Sequence, residues 1–241
     1  ALALLVFLGL VYLVYHIQIR RIKTLNTQKS LATKHQQQAL SAQMNPHFIF
    51  NSMNSVQQFI LDNQKEEAFA FLANFGKLIR RVMEQSSYEY IPLQEELDTL
   101  AIYLTIEQVR LHQQFDFHID VDVTINTSEV EIPPLLIQPY VENAIWHGIR
   151  PLHHKGKIEV KISPFHEKGI LCSIKDNGVG RSASSANQGQ HRSFGMKKTA
   201  SRLEILTQST KEEYHLEVID LKPDSHGTSG TEVKFTIPNR Y

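Results

Sequence analysis

The sequence contains one cysteine, Cys172, and no net charge, with Lys+Arg and Asp+Glu at 25 each. A single cysteine excludes an intramolecular disulfide framework and fits a reducing compartment. Cys172 lies in a stretch of alternating apolar residues, where a buried, inert thiol is expected. Without a basic excess there is no electrostatic argument for nucleic acid, and no direct nucleic-acid binding is expected. No internal repeat is present. What remains is an ordinary globular composition, 41% hydrophobic and 21% charged, over 241 residues. That length makes one large domain or two small ones.

A long apolar run occurs once. ALALLVFLGLVYLVY opens the chain and HIQIRRIK follows it. The run is slightly short for the roughly 20 residues of a spanning helix. It starts at Ala1 with no initiator Met, so a fragment lacking its upstream part is expected. Tyr12 and Tyr15 suit a membrane interface, and Arg20, Arg21 and Lys23 suit the cytoplasmic side. A signal peptide would place its basic flank before the apolar run and small residues after it; neither is found here. A buried core helix would rarely be apolar on every side. The reading is a transmembrane helix over 1–19, with the rest of the chain in the cytoplasm. Glycine and proline are absent from Ile17 to Ser41. Residues 20–39 therefore read as a linker helix, with a heptad pattern too poor for a clear coiled coil.

Next comes LSAQMNPHFIFNSMNSVQQFI, from Leu40 to Ile60. It is followed by KEEAFAFLANFGKLIRRVMEQSS, with Ala68, Phe71, Leu72, Phe75, Leu78, Ile79 and Val82 at helical spacing. Two helices with a short connection predict an αα-hairpin over 40–88, and two such hairpins predict a four-helix bundle in a homodimer. SSYEYIP breaks the pattern. From Leu93 to about His112 the spacing predicts another helix. FDFHIDVDV alternates as a strand, IPP is a turn, and a short helix is expected from Leu135 to Gly148. KIEVKIS and ILCSIKD are strands, NGVGRSASSANQGQHRS is a Gly/Ser-rich loop, and Met196 to about Gln208 is a helix. YHLEVIDL and TEVKFTIP are the last strands. Strands and helices in this irregular order predict, over 89–241, an α+β domain with helices on one face of a mixed sheet.

Several short features can carry chemistry. DNGVG (Asp176, Asn177, Gly178, Gly180) directly follows a strand. An acid there can accept a hydrogen bond from a base's exocyclic amine, and glycines admit close backbone approach; DNG is also a common turn. On the Leu135–Gly148 helix, Ile137, Val141, Ala144, Ile145 and Gly148 form an apolar side. Glu142, Asn143, Trp146 and His147 lie largely opposite. A carboxylate beside an amide can hold hydrated Mg²⁺, or simply form a solvated face. Lys197 and Lys198 sit in a first helical turn, where the dipole disfavours cations unless a phosphate is bound. Two solvated lysines are the plain alternative. GTSGT (with Gly230 and Thr231) precedes the final strand and suits a tight hairpin equally well.

In series, these features resemble the ATP-binding domain shared by gyrase, Hsp90, MutL and the histidine kinases. That resemblance implies a two-layer α+β sandwich of the Bergerat (GHKL) type. It implies Asn143 as the Mg²⁺ contact and Asp176 as the adenine contact, with Asn177, Gly178 and Gly180 lining the base pocket. His147 and Gly230 would also contribute, with Thr231 near the adenine. Gly195 and the loop before it would close over the phosphates, with Lys198 meeting them. Gln43, Asn45, Pro46, His47, Phe48, Phe50, Asn51 and Asn54 match the phospho-acceptor pattern of LytS/YehU-type sensor histidine kinases. IPLQEEL…YLTIEQVR and PPLLIQPYVENAIWHG are similar to that family as well, so the resemblance covers Leu40 to Pro238. Ser193 stands where family members often have glycine, and Lys198 where they have asparagine.

Helical spacing puts Gln43, His47, Asn51, Asn54 and Gln58 on one polar stripe, and Ala42, Ile49, Met53, Val56 and Ile60 on a buried one. His47 has no His or Cys one turn away, which argues against a metal. Pro46 predicts a bend beside it. The resemblance makes His47 the phospho-acceptor, Asn51 a candidate orienting group and Glu142 a candidate general base. It implies ATP and Mg²⁺ as cofactors and a response regulator, often of LytTR type, as partner. It places the kinase at the bacterial cytoplasmic membrane. The rival readings are a GHKL-type ATPase and a non-catalytic membrane scaffold.

Overall fold

The computed structural model describes residues 46–165, 169–181, 215–223 and 228–238, together with Tyr12, Tyr15, His16, Gln18 and Ile19. Two compact units emerge, 1–53 and 54–241. In the first, the five isolated residues are helical, Tyr12 and Tyr15 are exposed, and the Tyr12 ring lies 4.8 Å from that of His16. Among the described residues no helix is long and apolar enough to cross a membrane. Most of the apolar run, the linker helix and the chain before Pro46 lie outside the described residues. So do the Gly/Ser-rich loop beyond Arg181 and the helix expected from Met196.

Helix α1 (Pro46–Leu61) starts in the first unit and ends in the second. Its buried residues are Ser52, Val56 and Phe59, whereas Met53 and Ile60 are exposed. Of the expected buried stripe, Val56 is buried and Ile49 half-buried, Met53 and Ile60 are corrected to exposed, and Ala42 lies outside the described residues. The buried face is rotated because Phe59 reaches Phe71, with ring centroids 5.7 Å apart. Asn63, at φ 63°, turns the chain out of α1 while the Gln64 N–H donates to the Phe59 carbonyl at 2.8 Å, a left-handed C-terminal cap. Helix α2 (Lys65–Gln85) then begins, with Glu66 and Glu67 in its first turn complementing the dipole. It buries Ala68, Phe71, Leu78, Val82 and Gln85.

A two-residue strand β1 (Ile91–Pro92) leads into α3 (Leu93–Arg110). Pro92 precedes the helix, where its missing N–H costs nothing. Helix α3 is buried on several sides. It packs on α2, where Gln85 Nε2 donates to Thr99 Oγ1 at 2.8 Å, and on the first strand of the large sheet. That sheet contains β2 (Phe115–Val121), β4 (Gly156–Phe165), β5 (Gly169–Asp176), β6 (Leu216–Asp220) and β7 (Thr231–Pro238), in the order β2-β4-β5-β7-β6. Strand β3 (Glu131–Ile132) pairs with β1 instead. Among the described residues, only β2 and β4 run parallel. One face carries Ile158, Val160, Ile162, Ile170, Cys172, Ile174, Phe235 and Ile237, all buried. The alternate residues face away and pair as charges, such as Lys161–Asp120 at 3.9 Å and Lys234–Glu232 at 3.2 Å. A sheet apolar on one face demands a helical layer there, and α3 and α4 (Gln138–Asn143) supply it. The α+β sandwich is the one expected from the sequence, and Cys172 is buried within it.

Candidate functional site

Strand alternation explains why Asp176 is where it is. Ile170, Cys172, Ile174 and Asp176 fall on one face of β5, so the last position on the core side is an acid rather than an aliphatic. Register then chooses its neighbours: Ile158 on β4 and Thr231 on β7. Asp176 is buried. Gly178 N–H donates to its Oδ1 at 2.8 Å. Loss of hydration pushes its carboxyl up to about 6, against the opposing pull of the Gly178 and Thr231 backbone N–H groups.

The helix expected from Leu135 to Gly148 is shorter and of two kinds. Helix α4 covers Gln138–Asn143, and a π-helical turn continues it over Ala144–Ile149, with Arg150 N–H donating to Ile145 C=O at 2.9 Å. Such widened turns recur at functional sites because they re-aim side chains within a helix. The approach to α4 is set by a residue the sequence reading passed over. Glu96, buried on α3, accepts the N–H of Leu135 at 2.7 Å and of Ile137 at 3.0 Å, across a turn where Leu135 has φ 55°.

Backbone then meets backbone. A Cβ on Gly148 would lie 2.6 Å from Asp176 Oδ1, and one on Gly178 would lie 2.3 Å from the Gly148 Cα. Val179 N–H donates to Gly148 C=O at 3.1 Å. A Cβ on Gly230 would lie 2.0 Å from the Asp176 carbonyl. Three glycines thus let the π-helical turn, the end of β5 and the start of β7 converge at one point.

The convergence forms an open cleft whose lining includes Tyr140, Asn143, His147, Asp176, Gly180 and Thr231. Asn143, His147, Asp176, Gly180 and Thr231 were all expected near the nucleotide, and the structure brings them together. Gly178 and Gly230 lie just behind, setting the spacing. Asn177 does not line the cleft. Its Oδ1 accepts the Lys157 N–H at 2.6 Å and ties the turn to β4. Arg181 lines the cleft and was not anticipated. Its Nε and Nη2 meet Asp220 at 2.6 and 2.7 Å, and this ion pair raises its pKa further. Gly195 and Lys198 lie outside the described residues, and of the His47 side chain nothing is described. Asn51 is half-buried on α1.

Glu142 also lies outside the cleft lining. Its Oε1 accepts Gln138 Nε2 at 2.9 Å, and its carboxyl, close to Glu107 of α3, is pushed up to about 7, mainly by loss of hydration. Tyr103 sits in the same seam. Its hydroxyl is raised well above its usual range by burial and by the Glu142 and Glu107 carboxylates. Trp146 completes the back of this helix, with the guanidiniums of Arg110 and Arg150 each 4.7 Å from its ring centroid. Arg110 in turn pairs with buried Glu107. One side of α4 and its π-helical turn therefore faces the cleft, and another is locked to α3.

An α+β sandwich with an acid-floored, glycine-lined cleft at the end of its sheet is the class that fold and site define. A family model described as Histidine kinase matches residues 35–115. The chain is 30% identical over 217 residues to sensor histidine kinase YpdA of Escherichia coli (strain K12), covering 88% of this chain and 36% of that protein. It is 28% identical over 231 residues to sensor histidine kinase YesM of Bacillus subtilis (strain 168), covering 94% and 38%. It is 33% identical over 152 residues to sensor protein LytS of Oceanobacillus iheyensis, covering 63% and 25%. The chain belongs to the LytS-type sensor histidine kinase family. It spans between a quarter and two fifths of the length of these relatives.

Proposed function

We propose that this chain is the kinase portion of a membrane-anchored sensor histidine kinase. It binds Mg·ATP in the cleft, phosphorylates His47 and passes the phosphoryl group to a response-regulator aspartate. The observation that carries this reading is Asp176, a buried acid on the apolar face of β5, at the floor of the cleft. Burying a carboxylate is costly, and a base's exocyclic amine supplies the donor that offsets it.

The residues present suit Mg²⁺ brought in with the nucleotide. Among the described residues no group of three or more His, Cys, Asp or Glu is arranged to hold a metal. Mg²⁺ commonly takes few protein ligands and keeps phosphate and water oxygens, so the Asn143 amide oxygen is a sufficient contact. When bound, the ion neutralises charge on the phosphates. Thr231 and Gly180 line the base end of the cleft and His147 its Asn143 side, with Gly178 and Gly230 as spacers. Gly195 and Lys198 follow from the family resemblance as phosphate-side contacts.

The neutral imidazole of His47 attacks the γ-phosphorus through Nε2, the side chain's usual pKa leaving much of it neutral near pH 7. The N–P bond forms as the bond from that phosphorus to the ADP oxygen breaks, and the proton on Nδ1 is then released. Asn51, one turn on, accepts a hydrogen bond from Nδ1–H and orients the ring, but cannot take its proton. Glu142 faces α3, so a general-base role there calls for movement of its side chain into the cleft. Exposed Ile60, Phe69, Leu72 and Met83 on α1 and α2 provide apolar surface for a homodimeric four-helix bundle. The run over 1–19 provides the anchor at the bacterial cytoplasmic membrane. The partner is a response regulator, by family resemblance often one with a LytTR-type DNA-binding domain.

Incubation with γ-labelled ATP tests the reading. Acid-labile label appears on the protein and disappears in His47→Gln. A GHKL-type ATPase would release only free phosphate, a scaffold would do neither, and label surviving His47→Gln refutes the assignment.

A further inference from the structure

Arg181 brings a cation to the wall of the cleft, and the strand order places it at the Thr231 end. Sheet register lays Asp176 of β5, Thr231 of β7 and Asp220 of β6 side by side. The chain leaving β5 is pinned against the start of β7. Gly180 has φ 75°, and a Cβ there would lie 3.1 Å from the Ser229 carbonyl oxygen. The Thr228 hydroxyl donates to the Asn177 carbonyl at 3.3 Å, and Leu221 N–H donates to the Gly230 carbonyl at 3.2 Å. From this fixed backbone the Arg181 side chain reaches past β7 to β6. There its Nε and Nη2 each donate to one oxygen of Asp220, at 2.6 and 2.7 Å. Arg181 therefore crosses the end of the sheet beside Asp176 and Thr231, while Asn143 lies on the helical side of the cleft.

An ion pair this exposed, 40% for the Arg181 side chain and 49% for that of Asp220, adds little stability. What it does fix is orientation. Two parallel N–H···O bonds hold the guanidinium in one plane. Its charge is already met by a carboxylate, which makes it a poor clamp for phosphate. A flat, weakly hydrated guanidinium still stacks well on an aromatic ring. The other walls agree with a flat occupant: Tyr140, Ala144, Ile174 and Val233 add apolar surface, and Asp176 adds a polar edge contact.

The geometry points to Arg181 as a specificity-determining residue: its guanidinium, spread across the mouth by Asp220, packs on the nucleotide base held at Asp176 and closes that end of the cleft. Asp220 is the positioning residue for this contact. The inference rests on the nucleotide reading of the cleft and extends it, because Arg181 then recognises the base and not the phosphates.

Calorimetric titration of the purified chain with MgADP and with adenosine, which keeps the base and lacks the phosphates, tests it. Arg181→Ala should weaken both ligands by the same factor, about tenfold, as loss of a stacked cation implies. Arg181→Lys, cationic but not planar, should fall with Arg181→Ala. Asp220→Ala should weaken both ligands about threefold. Thermal shift should leave all three variants near the parent, because the pair is exposed. A loss confined to ADP, or a parent that binds ADP but not millimolar adenosine, makes the phosphates the recognised group and overturns the inference. ADP bound equally by parent and Arg181→Ala overturns it too, and leaves the nucleotide reading intact. A parent chain that binds neither ligand removes that reading and the inference together.

Discussion

Replacing Asp176 by asparagine should stabilise the nucleotide-free protein while disabling the cleft. The carboxyl is lifted from 3.8 to about 6 by burial. At 1.36 kcal/mol for each tenfold change in proton affinity, that lift corresponds to roughly 3 kcal/mol of destabilisation when the group is ionised. Asparagine retains an oxygen for the Gly178 N–H but adds an NH₂ that must be housed, so a net gain of ~1–2 kcal/mol is expected, or roughly 2–8 °C in Tm. The pH dependence gives the effect its signature. Below the unfolded value of 3.8 both states are protonated and the acid costs nothing. As pH rises to about 6 the unfolded chain ionises first, and wild type loses stability relative to the variant. The Tm difference should therefore open between pH 4 and 6 and be level by pH 7. Calorimetric ADP affinity should fall about tenfold to a hundredfold in the variant, because a charge-assisted acceptor has been removed. An Asp176→Asn protein that is less stable than wild type at pH 7.5, or that binds ADP equally well, would refute the account of this acid.

Three further outcomes follow from the packing behind the cleft. Gly148→Ala places a methyl 2.6 Å from Asp176 Oδ1, against a buried carboxyl held in place by the Gly178 N–H; a loss of about 2–3 kcal/mol in urea unfolding and a collapse of ADP affinity are expected. Glu96→Gln leaves one acceptor oxygen for the two N–H groups of Leu135 and Ile137, so the urea midpoint should drop by the equivalent of about 2 kcal/mol. Trp146→Leu removes both guanidinium contacts, worth ~0.5–1 kcal/mol each. Thermal shift should show that loss, with ADP affinity reduced and partly restored in Trp146→Phe.

Much of the architecture was legible because it depends on short-range periodicity. The alternation in KIEVKIS, ILCSIKD and TEVKFTIP fixed three strands and their inward faces, and apolar spacing fixed α2 and α3 nearly to the residue. The errors share a cause. The buried face of α1 depends on where Phe71 stands, and the π-helical turn at Ala144–Ile149 depends on backbone hydrogen bonds that carry no periodic signature. Asn177 read as a ligand because it lies within DNG, yet its partner is the backbone of Lys157, twenty residues earlier. Glu96 and Glu107 drew no reading from the sequence, because helical spacing alone does not show that α3 is buried on several sides.

The sequence by itself determined the inventory of the site: an acid on the inward row of β5, glycines flanking it, and an amide and a histidine one turn apart on α4 and its continuation. Those assignments need only strand alternation, helical spacing and the backbone freedom of glycine. The tertiary structure decided which of those groups share a cavity. Sheet register put Thr231 beside Asp176 across 55 positions of chain, and the Gly148–Gly178 contact set the width between helix and sheet. The packing of α3 turned Glu142 and Trp146 away from the cleft. Long-range pairing is a property of the whole packed core, and no local pattern encodes it.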